Sequence, residues 1–146
     1  MSSDRPLRPE QSTVTLLSLT HLMLSRQVAE GAAAAGYPVK PSHSAVFGQM
    51  TADGSRLTAL ARGANMTPQA MGELVDELEG LGLVARSPDP TDRRAKLITL
   101  TESGRQCVAA GVDTIGDIER VITHALGVSG HRDLRRMLVT LLESAT

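Results

Sequence analysis

Apolar residues recur at helical spacing through most of the chain, and clusters of turn-forming residues cut the pattern into segments. From Ser12 to Ala35, Leu16, Leu17, Leu19, Leu22, Met23, Leu24 and Val28 spread over more than one stripe. This predicts one long helix that must be covered on several sides, and in a short chain a second subunit is a natural cover. Gly36, Pro38 and Pro41 interrupt the pattern, after which Ser42 is placed to N-cap a short helix carrying Val46, Phe47 and Met50 inward. Beyond the Asp53-Gly54 turn signal, Thr58 is placed to cap a short helix with Leu60, Ala61 and Ala64 on one face. Asn65 follows, where a residue tolerant of left-handed geometry is wanted. Thr67-Pro68 restarts a helix, a capping hydroxyl followed by proline at the first helical position. Along it Met71, Leu74, Val75, Leu78 and Leu81 keep amphipathic spacing. Two helices joined by a few turn residues make a helix-turn-helix candidate.

Gly82 ends that second helix. Leu83 to Ser87 and Lys96 to Leu100 have strand character, and the polar, proline-bearing run from Pro88 to Ala95 between them predicts a hairpin with a long exposed tip. Thr101 is placed to cap a helix in which Val108, Val112, Ile115, Ile118, Ile122 and Leu126 keep roughly helical spacing. A last helix from about Gly130 to Ser144 sets Leu134, Met137, Leu138, Leu141 and Leu142 on one face. The expected fold class is mainly α (α+β), with one small hairpin. The expected organisation is a disordered tail over residues 1–11 followed by a single domain over 12–146.

Composition narrows what such a fold can do. The 146 residues include one Phe, one Tyr and no Trp, 1% aromatic, which counts against single-stranded nucleic-acid platforms, quaternary-ammonium cages and interfacial membrane belts. The single cysteine, Cys107, makes no internal disulfide or multi-thiolate metal site, so a cytoplasmic location is expected. The N-terminal residues are polar, and no apolar run approaches a membrane span. Net charge is −1, but the stretch from Arg86 to Arg105 carries five basic residues against three acidic ones, so a local positive patch exists within a neutral chain.

Enzyme signatures are missing: there is no Gly-rich phosphate loop, no G-x-S-x-G elbow and no H-E-x-x-H pair. His21, His43, His124 and His131 are scattered and read first as surface or satisfied histidines, and Cys107 reads as a packed thiol. No cofactor, metal or catalytic group is expected. The helix-turn-helix followed by a hairpin is the strongest signal. The run RLTALARGANMTPQAMGELVDELEGLGLVARSPDPTDRRAKLITLTESGR, Arg56 to Arg105, closely resembles the winged helix-turn-helix core of the MarR family of bacterial transcriptional regulators. Its most specific part is DPTDRR, Asp89 to Arg94, with the strand and LTESG that follow.

The resemblance implies a homodimeric regulator, most simply a repressor, that binds a pseudo-palindromic double-stranded operator. Residues 12–35 and 102–146 would be the dimerisation helices and 55–101 the winged DNA-binding part. The Thr67-Pro68 end of the second helix carries unpaired N–H groups and a positive dipole end, suited to a phosphate or a base-edge acceptor. Of the outward positions Gln69, Gly72 and Glu73, Gln69 is able to pair with adenine and Glu73 to accept from cytosine, although Glu73 reads equally well as a solvated helix residue. Asp76, Glu77 and Glu79 continue that face as an acidic strip that would repel phosphates. Arg93 and Arg94 at the wing tip suit a narrow minor groove, Lys96 adds to their charge, and by resemblance Asp92 holds one guanidinium in place.

Members of the family often release DNA when a small aromatic or anionic effector binds, and the residues placed to line such a site are His21, His43, Phe47 and Met50. Release by thiol oxidation is disfavoured, because Cys107 is outside the N-terminal helix. The alternative function is a winged-helix protein–protein interaction module without its own operator, to which Gly72 and the acidic strip would suit a packing face. The exposed Arg93-Arg94 pair is what such a module does not need.

Overall fold

The computed structural model describes residues 12–144. Helix α1 spans Thr13–Ala34, a 3-10 turn covers Pro41–His43, and α2 is the single turn Ser44–Phe47. Helices α3 (Leu57–Gly63) and α4 (Pro68–Gly80) precede strands β1 (Val84–Asp89) and β2 (Asp92–Leu100), and α5 runs over Glu102–Ser144 with a break at Gly127. The chain divides into two compact units after Gly111, within α5. No helix of the described residues is long and apolar enough to cross a membrane.

Most element boundaries follow from local capping chemistry. Ser12 caps α1, its hydroxyl accepting from the Thr15 amide at 3.4 Å. Thr67 caps α4 in the same way, accepting from the Ala70 amide at 3.2 Å, with Pro68 at the first helical position. Asn65, with φ of 54°, makes the left-handed step between α3 and α4, and Gly82, with φ of 72°, ends the turn after α4. Thr101 caps α5 by accepting from the Gly104 amide at 3.0 Å. Two expectations fail at this level. The residue capping α3 is Arg56, whose side chain makes no capping bond, because the helix starts one residue before Thr58. The segment after Pro41 begins as a 3-10 turn with Pro41 in its first turn, so Ser42 lies inside it.

In the first unit the core is aliphatic. Leu60, Met71, Val75, Leu78, Leu83, Val84 and Ile98 are its buried centre, with Val46 from α2 and Cys107 from α5. All but Cys107 come from apolar positions of the predicted pattern, so α3, α4 and the hairpin share one interior. The hairpin is antiparallel and pairs Val84 with Leu100 through to Pro88 with Lys96. The strands are longer and the tip shorter than expected: only Pro90 and Thr91 lie between them. A further bridge joins Ser55 to Ile98, with the Ser55 amide donating to Ile98 O at 3.0 Å and the Ile98 amide to Ser55 O at 2.8 Å.

Helix α1 buries only Ala29 and Ala32, leaving Val14, Leu16, Leu17, Leu19, Leu22 and Met23 exposed. The second unit buries none of its described residues. Its helical segments on either side of Gly127 are tied by His131, which shares a hydrogen bond with Thr123 at 2.7 Å and lies 3.0 Å from Glu119. Val121, Val128, Met137 and Leu142 are among its exposed apolar side chains.

Candidate nucleic-acid interface

Two features of the first unit present polar groups outward: the start of α4 and the tip of the hairpin. At α4, the amphipathic pattern turns Met71, Val75 and Leu78 into the core and leaves Gln69 and Glu73, one helical turn apart, exposed beside Thr67 and Pro68. The first-turn N–H groups of a helix have no intrahelical partner, so this end is a donor-rich, partially positive surface. Gly72 is half-buried rather than outward: a Cβ at that position would meet Leu57 Cδ2 of α3 at 3.8 Å.

The acidic strip beyond Glu73 is present but neutralised. Arg86, on β1, donates to Asp76 at 2.6 Å and also to Glu79. Glu77 receives the Lys40 ammonium at 2.9 Å and His43 Nε2 at 2.8 Å, and Lys40 first, His43 second, hold its carboxyl below the usual carboxylate range. The expected repulsion of phosphates is therefore muted by two cationic side chains, Arg86 and Lys40, that α4's own sequence does not contain, while His43 adds a hydrogen bond.

At the hairpin tip the register shifts between Pro88 and Asp89, so that Asp89 pairs with Asp92 while Pro88 pairs with Lys96. The three intervening residues, Arg93, Arg94 and Ala95, bulge out of β2. Arg93, Arg94 and Lys96 are exposed, and among the described residues no acidic side chain pairs with their charged ends. Asp92 does not grip either arginine's guanidinium. Its Oδ1 accepts from the Arg94 amide at 3.0 Å, and the guanidinium nearest its Oδ2, at 3.8 Å, belongs to Arg56.

Asp89 is the unexpected member. Only 5% exposed, it accepts from the hydroxyl and amide of Thr91 at 2.7 and 2.8 Å and from Arg56 Nε at 2.8 Å. The two Thr91 bonds, followed by that of Arg56, lower its pKa from 3.8 to about 2. Asp89 opens the run that carries the family resemblance, but its burial and its pairing with Arg56 are not legible in sequence, because a charged residue in a polar turn and one before a helix both look like solvated surface. The only local hint is the Asp-Pro-Thr spacing that suits an Asx turn.

Family comparisons agree with this geometry. A profile described as the MarR family matches residues 51–96, the stretch from the turn before α3 to the wing. The transcriptional regulator HosA of Escherichia coli is 32% identical over 78 residues, which is 53% of this chain and 57% of HosA. An HTH-type transcriptional repressor of Mycobacterium tuberculosis is 33% identical over 82 residues, 56% of this chain and 59% of that protein. Among solved structures, CouR from Rhodococcus jostii bound to p-coumaroyl-CoA is 26% identical with a TM-score of 0.72, covering 92% of this chain and 94% of CouR. The repressor CouR on a 23-mer DNA duplex shares the fold at 23% identity and a TM-score of 0.69, covering 97% and 99%.

From the turn before α3 to the wing, then, the chain is similar to the MarR family. It spans a little over half the length of the curated relatives it matches. The remaining residues expected from the family pattern are less unified. His43 is buried, accepting from the Lys40 amide through Nδ1 at 3.1 Å, so its ring hydrogen lies on Nε2 and is donated to Glu77. Phe47 and Met50 pack against the core, whereas His21 stands exposed on α1. Cys107 is buried, and burial pushes its thiol pKa up, the opposite of what a reactive thiolate needs.

Proposed function

We propose that this chain is a homodimeric transcriptional repressor of MarR type that reads a pseudo-palindromic double-stranded operator. The carrying observation is the bulge that projects Arg93 and Arg94, their guanidiniums free of acidic partners, from the same compact unit that exposes the capped start of α4. In this reading Gln69 and Glu73 face base edges in the major groove, with Thr67, Pro68 and Gly72 at the protein–DNA boundary. Arg93 and Arg94 enter the flanking minor groove, supported by Asp92 and Lys96. DNA-bound CouR, of the same fold, and the repressor among the relatives support the assignment.

The exposed apolar rows of α1 and of the second unit support a second copy as their cover. The reading includes a small-molecule effector that lowers operator affinity, supported by the acyl-CoA ligand on CouR. It would act beside the 41–47 segment, because the His43–Glu77 bond connects that segment directly to α4.

The test is selection of bound duplexes from a random pool, followed by titration at several salt concentrations. A symmetric footprint is expected, and Arg94→Ala is expected to weaken binding and, where Arg94 meets phosphate, to reduce the salt slope by about one. Absence of any enriched duplex at low salt, or an Arg94→Ala protein that binds like the parent, would reject the assignment.

A further inference from the structure

Arg56 lies outside both groove-facing elements, yet its guanidinium occupies the junction between them. Its backbone is held firmly: the preceding Ser55 is bridged to Ile98 through two hydrogen bonds. Gly54, with φ of 91°, lies so close to β2 that a Cβ there would stand 2.7 Å from Thr99 Cγ2. From that fixed base, Nε and Nη2 of Arg56 both reach Oδ2 of Asp89, at 2.8 and 2.6 Å. The other carboxylate oxygen, Oδ1, is committed to the amide and hydroxyl of Thr91 in the tip. The same guanidinium faces Asp92 Oδ2 at 3.8 Å, and Asp92 in turn holds the Arg94 amide. Each of the two carboxylates flanking the tip therefore holds one tip amide, and one cation sits against both.

We infer that Arg56 is the positioning residue of the wing, acting through Asp89 and Asp92 to fix where the Arg93-Arg94 bulge stands. Without the guanidinium, Asp89 and Asp92 are directly paired like charges across the hairpin, one of them buried, and the tip must rearrange to separate or hydrate them. This inference rests on the DNA-binding reading only for its consequence at the operator, since the positioning itself is a property of the free protein.

The experiment compares the parent protein with Arg56→Met, Asp89→Asn and the double variant, with Arg56→Lys as a second probe that keeps the charge. Hydrogen exchange of the free proteins reads the Thr91 and Arg94 amides, and fluorescence titration of a selected operator duplex at several salts reads binding. For Arg56→Met, we expect those two amides to exchange at least about tenfold faster while the α4 amides keep their protection. Operator affinity falls about tenfold with the salt slope unchanged, and the loss shrinks when Asp89→Asn is already present, because coupled residues are non-additive. Arg56→Lys restores part of the tip protection. Unchanged tip exchange in Arg56→Met overturns the inference. So does a salt slope reduced by about one with multiplicative effects of the two substitutions, which identifies Arg56 as a phosphate contact in its own right. A parent protein that binds no duplex rejects the DNA-binding reading instead, and the exchange data still decide the role of Arg56.

Discussion

Asp89 shows how one side chain changes character on folding. In the unfolded chain it titrates as an ordinary aspartate, whereas in the folded chain the hydroxyl and amide of Thr91 and the guanidinium of Arg56 hold its pKa near 2. Because the folded value lies below the unfolded value of 3.8, its contribution to stability is complete above that pH and is lost as pH falls through about 2. Asp89→Asn is therefore expected to flatten the acid limb of the stability curve below about pH 4. Denaturant unfolding at stepped pH checks this, and parallel curves for parent and variant would contradict it. His43 illustrates the opposite use of a buried polar group. Both ring nitrogens are occupied, one by a backbone donor and one by Glu77, so the imidazole serves as a strut between the 3-10 turn and α4.

At the scale of elements, the units easiest to read in the sequence are those whose ends are determined by their own residues. Thr67-Pro68, Asn65, Gly82 and Thr101 carry their structural reason in their side chains, and each marks the boundary expected of it. Thr67→Ala is accordingly expected to cost about 1 kcal/mol of stability, since only one hydroxyl bond caps α4. Urea denaturation measures that loss, and an unchanged midpoint would show that α4 does not depend on its cap. The hairpin tip is less legible. Its shortness depends on Asp89 finding Arg56, 33 residues earlier, and nothing in a local hydrophobic pattern encodes a contact between two charged residues so far apart. The acidic strip of α4 was legible as composition, but its pairing with the cations Arg86 and Lys40 was not, for the same reason. Start positions such as that of α3 are set by the Ser55 bridge to β2, a tertiary contact that overrides the better capping residue at Thr58.

For the whole molecule, the principal energetic question is the apolar surface that neither unit covers by itself. Leu22 is 62% exposed and Leu142 74%, so substituting either with a charged residue removes little from the isolated subunit. In the proposed dimer the same change places a charge in an apolar contact. Leu22→Glu is thus expected to shift the protein from twice the chain mass to the chain mass in sedimentation and to make its melting temperature independent of concentration. A parent protein that sediments as a single chain would refute the dimer, and an unshifted variant would place the interface elsewhere than α1. Within the first unit, the close approach at Gly104 has a mechanical meaning. A Cβ at that position would lie 1.9 Å from Leu83 O, and the Thr101 amide and hydroxyl are bonded to Leu83 O and Gly82 O at 3.1 and 2.6 Å. The first turn of α5 is thereby riveted to the turn that follows α4 and to the root of the wing, with no room for a side chain at Gly104. A tilt applied to that turn therefore carries the end of α4 and the wing with it, as one arm of a lever.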